Sequence, residues 1–175
     1  MTTIGDRAFW GTGLTSVYIP KNVTHLGEYS FATISTLTSV EIAEGVEALG
    51  FEYQGVIGNY KGSVFYGCSA LVDVKLPSSL RHLGAQAFYG CSSLEKLELP
   101  DGLESIGNMS FSYCGNIKQL VIPDSVRIIG TNVFSGWSAE QTICFEVSYV
   151  KARLFSDVIV NIAANMVYDY VKPIQ

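Results

Sequence analysis

Cysteine and histidine are the residue types most able to do chemistry in this sequence, and there are four of the first and two of the second in 175 residues. Cys68, Cys91 and Cys114 stand 23 residues apart. Thiolates can ligate zinc, exchange disulfides or act as nucleophiles. This spacing matches no zinc pattern, and four cysteines are too few for a disulfide scaffold in a chain of this length. His25 and His82 each come directly before a Leu-Gly pair. No Ser-His-Asp order, G-x-S-x-G elbow, phosphate-binding glycine loop or enclosed pair of acids can be drawn. The expectation is a non-enzymatic chain with no catalytic residue, no metal and no cofactor.

An internal repeat spaces the cysteines so evenly. Aligned on "apolar-Gly-x-x-small-Phe", the chain yields Ile4-Gly5 with Ala8-Phe9, Leu26-Gly27 with Ser30-Phe31, Leu83-Gly84 with Ala87-Phe88, Ile106-Gly107 with Ser110-Phe111, and Ile129-Gly130 with Val133-Phe134. Gly27 and Gly50 are 23 residues apart, as are Gly84, Gly107 and Gly130; the first step, Gly5 to Gly27, is 22. Between the markers lies a second half-unit: "LTSVYIP", "LTSVEIA", "LVDVKLP", "LEKLELP" and "IKQLVIP". Apolar residues at its first, fourth and sixth places make a short strand, and the following Pro ends it by removing a ladder donor. A single strand of this kind cannot bury its apolar side, but stacked copies can. The prediction is a solenoid with one coil per unit, its strands in a parallel sheet about 4.8 Å apart. The repeated Phe fills the interior. The repeated Gly serves either a positive φ or a close backbone approach.

This frame decides how the thiols are read. Cys68, Cys91 and Cys114 fall three residues after Phe, where other coils carry Thr12, Ile34 and Trp137. A place shared with Ile and Trp is apolar, which favours a buried ladder of free thiols over metal or redox chemistry, with disulfides between adjacent coils as the alternative. Cys144 lands in the outward column of the closing strand and is the thiol expected to be reactive. The histidines fall two coils apart, about 10 Å at the strand spacing, too far to act together.

The unit "LEKLELPDGLESIGNMSFSYCGN" and its neighbours resemble the BspA-type leucine-rich repeat, approximately L-x-x-V-x-I-P-x-x-V-x-x-I-G-x-x-A-F-x-x-C. The resemblance runs from Ile4 to Phe145. It implies a leucine-rich-repeat right-handed superhelix, mainly β, with short turn or helical segments on the convex side. It also implies a bacterial protein, at the cell surface or secreted, that binds host proteins or other cells. The domain expectation is a solenoid over 1–146, with about six 23-residue repeats, and a β-rich cap over 147–175. In that cap "SDVIVNI" and "NMVYDYV" read as strands. No cover precedes Ile4, so either further repeats or a cap lie upstream in the natural protein, or this end self-associates with another chain.

One coil is interrupted. Residues 51–63 separate Gly50 from Val64 where two residues normally stand, and Gly50 to Gly84 is 34 residues, an excess of 11 over the repeat. The insertion "FEYQGVIGNYKGS" joins Phe51, Tyr53 and Tyr60 to turn-forming Gly and Asn. It reads either as a contact surface built from aromatics on turns or as a tolerated hairpin that packs back on its coil.

The outward strand positions form two columns: Ser16, Ser39, Asp73, Lys96, Gln119, and Tyr18, Glu41, Lys75, Glu98, Val121. Opposite charges fall side by side in Glu41, Lys75 and Glu98 and in Asp73 and Lys96. Such a face is either simply solvated or, as a whole, the concave sheet on which repeat proteins hold partners. The expected binding residues are Tyr18, Glu41, Lys75, Lys96 and Glu98 with Phe51, Tyr53 and Tyr60 of the insertion, and the expected partner is a protein or glycan, including host extracellular ones. The alternative is a structural spacer within a larger surface protein. A formal charge of −5 and only 11 scattered Lys and Arg argue against nucleic acid, and no apolar run reaches the length of a membrane span.

Overall fold

The computed structural model describes residues 2–52, 60–146 and 165–167. Its strands in chain order are β1 (Thr3–Ile4), β2 (Ser16–Ile19), β3 (His25–Leu26), β4 (Ser39–Ile42), β5 (Ala48–Leu49), β6 (Phe51–Glu52), β7 (Tyr60–Lys61), β8 (Asp73–Lys75), β9 (His82–Leu83), β10 (Ser105–Ile106), β11 (Gln119–Ile122), β12 (Ile128–Ile129), β13 (Thr142–Phe145) and β14 (Asn165–Val167). The coils of this parallel solenoid are built from a longer strand, a short strand and a tight turn segment, and the longer strand is missing from the coil that holds residues 95–99. The long strands pair in register, Ser16↔Ser39↔Asp73 in one sheet and Gln119↔Thr142↔Asn165 in another. The short strands do the same through Ala48↔His82↔Ser105↔Ile128. Asn165 lies one repeat interval after its partner Thr142, so β14 stacks where the next coil's strand belongs. The expected strand over 156–162 lies outside the described residues.

Phenylalanine forms the spine. Rings of Phe9, Phe31, Phe65, Phe88, Phe111 and Phe134 stack in sequence, with centroids 5.0–6.2 Å apart and planes within 20° of parallel. Beyond their burial, such pairs add roughly 0.5–1.5 kcal/mol each. Leu37, Leu71, Leu94 and Ile117 fill a second column, and Val23, Val46, Leu80, Leu103 and Val126 a third, all buried.

The turn segments are where the structure chooses between the two reasons for glycine. Gly27, Gly84, Gly107 and Gly130 do not have positive φ. A Cβ at Gly84 would stand 2.5 Å from the Leu49 carbonyl oxygen, and one at Gly107 would stand 2.5 Å from the Ala85 nitrogen. These glycines therefore permit close approach of successive coils. Left-handed backbone occurs instead two residues before and two residues after each Phe, for example at Tyr29 and Thr33, Gln86 and Gly90, and Met109 and Tyr113. The turn thus aims the Phe amide along the solenoid: Phe31 donates to the Val64 carbonyl at 3.0 Å and Phe88 to that of Ser110 at 3.0 Å. Among the described residues this side contains turns and no helix.

Candidate interaction surfaces

The strand face holds the residues that the repeat frame pointed to. Tyr18, Glu41 and Lys75 form one register row across β2, β4 and β8. Tyr18 is 63% exposed at the edge. Lys75 Nζ meets Glu41 Oε2 at 3.4 Å, with both side chains more than half exposed, so the pair is worth only about 0.2–1 kcal/mol. The Asp73–Lys96 and Lys75–Glu98 neighbours do not form ion pairs. The physical reason is a break in the sheet: residues 95–99 follow the coil but carry no strand pairing, and β8 and β11 belong to different sheets. Over this break lies an open groove of about 790 Å³, bordered by Lys96, Glu98, Gln119, Val121, Pro123 and Glu146.

The insertion does not join that face at its base. β6 and β7 pair antiparallel, Phe51 opposite Lys61 and Glu52 opposite Tyr60, so its start is a ribbon. It leaves the coil between short strand β5 and the turn segment, where Gly62 accepts from the Tyr29 amide at 3.0 Å and Ser63 donates to Ala85 at 2.7 Å. The strand face and the insertion, the two expected binding elements, are rooted on different sides of the coil because the break in the repeat falls after Gly50 rather than beside a long strand. Tyr53 lies outside the described residues.

The thiol ladder is buried and reduced. Cys68, Cys91 and Cys114 are inaccessible free cysteines. Each donates to a Phe carbonyl of the preceding coil, namely Phe31 at 3.1 Å, Phe65 at 3.3 Å and Phe88 at 3.1 Å. Burial pushes Cys68 up to about 11 and Cys114 to about 12. Cys91 is raised well above the ordinary thiol range by burial and then by its two thiol neighbours. These are packing groups. Cys144 does stand in the outward column, opposite Val121, but it is only 8% exposed, against the expectation of a reactive thiol. The Gln119 amide nitrogen reaches its sulfur at 3.0 Å and β14 runs alongside. His25 Nδ1 pairs with Thr24 Oγ1 and His82 Nδ1 with Ser105 Oγ, each at 2.9 Å. Among the described residues no three His, Cys, Asp or Glu side chains gather into a metal-holding group.

A further feature, not legible from the repeat pattern, lies on the turn face. Tyr29, Tyr66, Tyr89 and Tyr113 form a continuous row of ring contacts with centroid spacings of 5.8, 4.7 and 5.3 Å. The Arg7 guanidinium extends it, 5.8 Å from the Tyr29 ring and 5.2 Å from the Trp10 ring. These aromatics occupy three different places relative to Phe, so no fixed offset reveals them.

The chain carries six copies of the BspA type leucine-rich repeat region, matched over residues 1–53 and 57–171. It belongs to that family. Solved structures with the same fold include the T. pallidum leucine-rich repeat protein TpLRR, 27% identical with a TM-score of 0.64 over 74% of this chain and 58% of that one. A Bacteroides ovatus leucine-rich repeat protein is 26% identical with a TM-score of 0.67 over 95% of this chain and 45% of that one. A leucine-rich cell surface protein of Faecalibacterium prausnitzii is 29% identical with a TM-score of 0.61 over 82% and 42%. The chain therefore spans roughly half the length of these proteins. No curated protein matches it.

Proposed function

We propose that this BspA-type repeat is a non-enzymatic interaction module, displayed on a bacterial surface or secreted, that holds an extracellular protein partner on its strand face. The observation that carries the reading is the open groove beside Lys96 and Glu98 at the sheet break, where outward-facing Val121 stands exposed among charged and amide side chains. An apolar centre with a polar rim is the anatomy of a protein contact. The cell-surface neighbour and the family support the location.

The test is surface plasmon resonance of the purified chain against a panel of extracellular matrix proteins, with intact epithelial cells as a second readout. Exchanging the charges with Lys96→Glu and Glu98→Lys is expected to weaken the binding by about tenfold, the loss of a central contact. Binding that is unchanged by this exchange and by Tyr18→Ala removes the strand face from the proposal. Deleting 52–62 tests the insertion separately, and unaltered affinity assigns it no part in binding. A spacer role is favoured by one observation, the satisfaction of Glu41 by Lys75 within the face itself; it predicts no binding in either readout.

A further inference from the structure

The turn face differs from the strand face in chemistry. Residues 29–36, 63–70, 86–93, 109–116 and 131–138 contain no Asp, Glu, Lys or Arg and are rich in Ser, Thr, Gly, Asn and Tyr. Arg7 is the lone charge of the corresponding first segment. On this uncharged ground the first five coils each supply one aromatic to a common row. Trp10, Tyr66 and Tyr89 come from the place after Phe, whereas Tyr29 comes from two places before it and Tyr113 from two places after. Where the place after Phe is taken by buried Ala32 or Ser112, the ring arrives from a left-handed position instead. Tyr29 has φ 57° and Tyr113 φ 60°, conformations that cost an L-residue roughly 1–2 kcal/mol. Four other coils put Gly at the place of Tyr113. Packing alone does not require tyrosine there.

The rings are also open to a ligand. Trp10 is 54% and Tyr113 53% exposed, with the three tyrosines between them half-buried. Tyr66 and Tyr89 stack face to face within 4° of parallel, which turns their edges and hydroxyls outward from the stack. The Tyr29 and Tyr113 rings are rotated by 70° and 64° relative to these neighbours. Desolvation and then the neighbouring Tyr66 and Tyr113 phenols hold the Tyr89 phenol above its ordinary range.

We infer that the row Trp10, Tyr29, Tyr66, Tyr89 and Tyr113 is a second binding surface, distinct from the strand face, for an extended, uncharged polysaccharide lying along the solenoid. Three features select this occupant. The near-absence of charge suits a neutral polymer and disfavours an acidic one, which would call for cations. Ring spacing that repeats coil after coil suits a ligand that is itself periodic. The row presents outward ring edges and hydroxyls, which can meet the C–H and O–H groups of a sugar.

The experiment uses the full chain in isothermal titration calorimetry with cellohexaose and mannohexaose, and alginate as the acidic comparison. Binding of at least one neutral hexasaccharide and none of alginate is expected. Tyr66→Ala with Tyr89→Ala should weaken it by about tenfold or more. Because that double change could also loosen the coil, Tyr113→Gly is the decisive variant: it restores the residue used in four other coils, so thermal stability should hold or rise while sugar binding falls by about tenfold. The strand-face exchange at Lys96 and Glu98 should leave sugar binding unchanged. No neutral sugar bound, alginate bound preferentially, wild-type sugar binding by Tyr113→Gly, or tyrosine variants that alter only a protein interaction would each overturn the assignment.

Discussion

The Trp137 indole N–H donates to the Phe111 carbonyl at 2.8 Å, the bond that a thiol makes to the preceding Phe in the three coils before it. One interior acceptor is thus met by two unrelated side chains. Replacing Trp137 with Phe keeps an aromatic but leaves that buried carbonyl without its donor, which should cost about 1–3 kcal/mol. Urea unfolding followed by circular dichroism measures it, and a loss under about 0.5 kcal/mol would show that the bond contributes little.

The same ladder sets an alkaline limit. The folded thiols of Cys68 and Cys114 titrate at about 11 and about 12, above the unfolded value of about 8.5. A raised folded pKa means that the unfolded chain loses its protons first. Their stabilising contribution is therefore intact below about pH 8.5 and is lost progressively as pH rises toward 11–12. Urea midpoints taken from pH 8 to 11 should fall, and Cys68→Ala with Cys114→Ala should flatten the slope.

Thiol accessibility gives an independent check. Native protein at pH 8 should leave Cys68, Cys91 and Cys114 unmodified by a disulfide-exchange reagent for hours, with release on unfolding, since burial keeps them protonated. Prompt reaction of these three in the native state would contradict the ladder.

Ser30 and Ser110 fill one repeat place but differ in partners. Ser110 Oγ donates to the carbonyl of Gly107 at 2.7 Å or Gly84 at 3.0 Å, whereas the buried Ser30 hydroxyl has no hydrogen-bond partner. Ser30→Ala should be neutral or stabilising by up to about 1 kcal/mol, and Ser110→Ala should destabilise by a similar amount. Equal effects at the two sites would show that the hydroxyl environments are alike.

Gly107→Ala would drive a Cβ against the Ala85 backbone, which cannot move without displacing the neighbouring coil. An overpacking cost of about 1–3 kcal/mol is expected. Gly13, which has open space around it, should accept Ala with a change within about 0.5 kcal/mol. Thermal melts of the pair compare them directly.

The repeat, its 23-residue step, the stacked Phe spine, the Pro-ended strands and the apolar place of the three cysteines were all determined by sequence. Each follows from side-chain types recurring at one interval, and a solenoid converts that interval into contact between equivalent residues. Tertiary structure alone decided what depends on different offsets meeting in space. Tyr29, Tyr66 and Tyr113 share a row because left-handed residues on either side of Phe swing unequal positions to one flank. The burial of Cys144, the unpaired stretch at 95–99 and the root of the insertion beside the turn face were likewise hidden. They arise from neighbouring coils and backbone pairing, which no single repeat encodes.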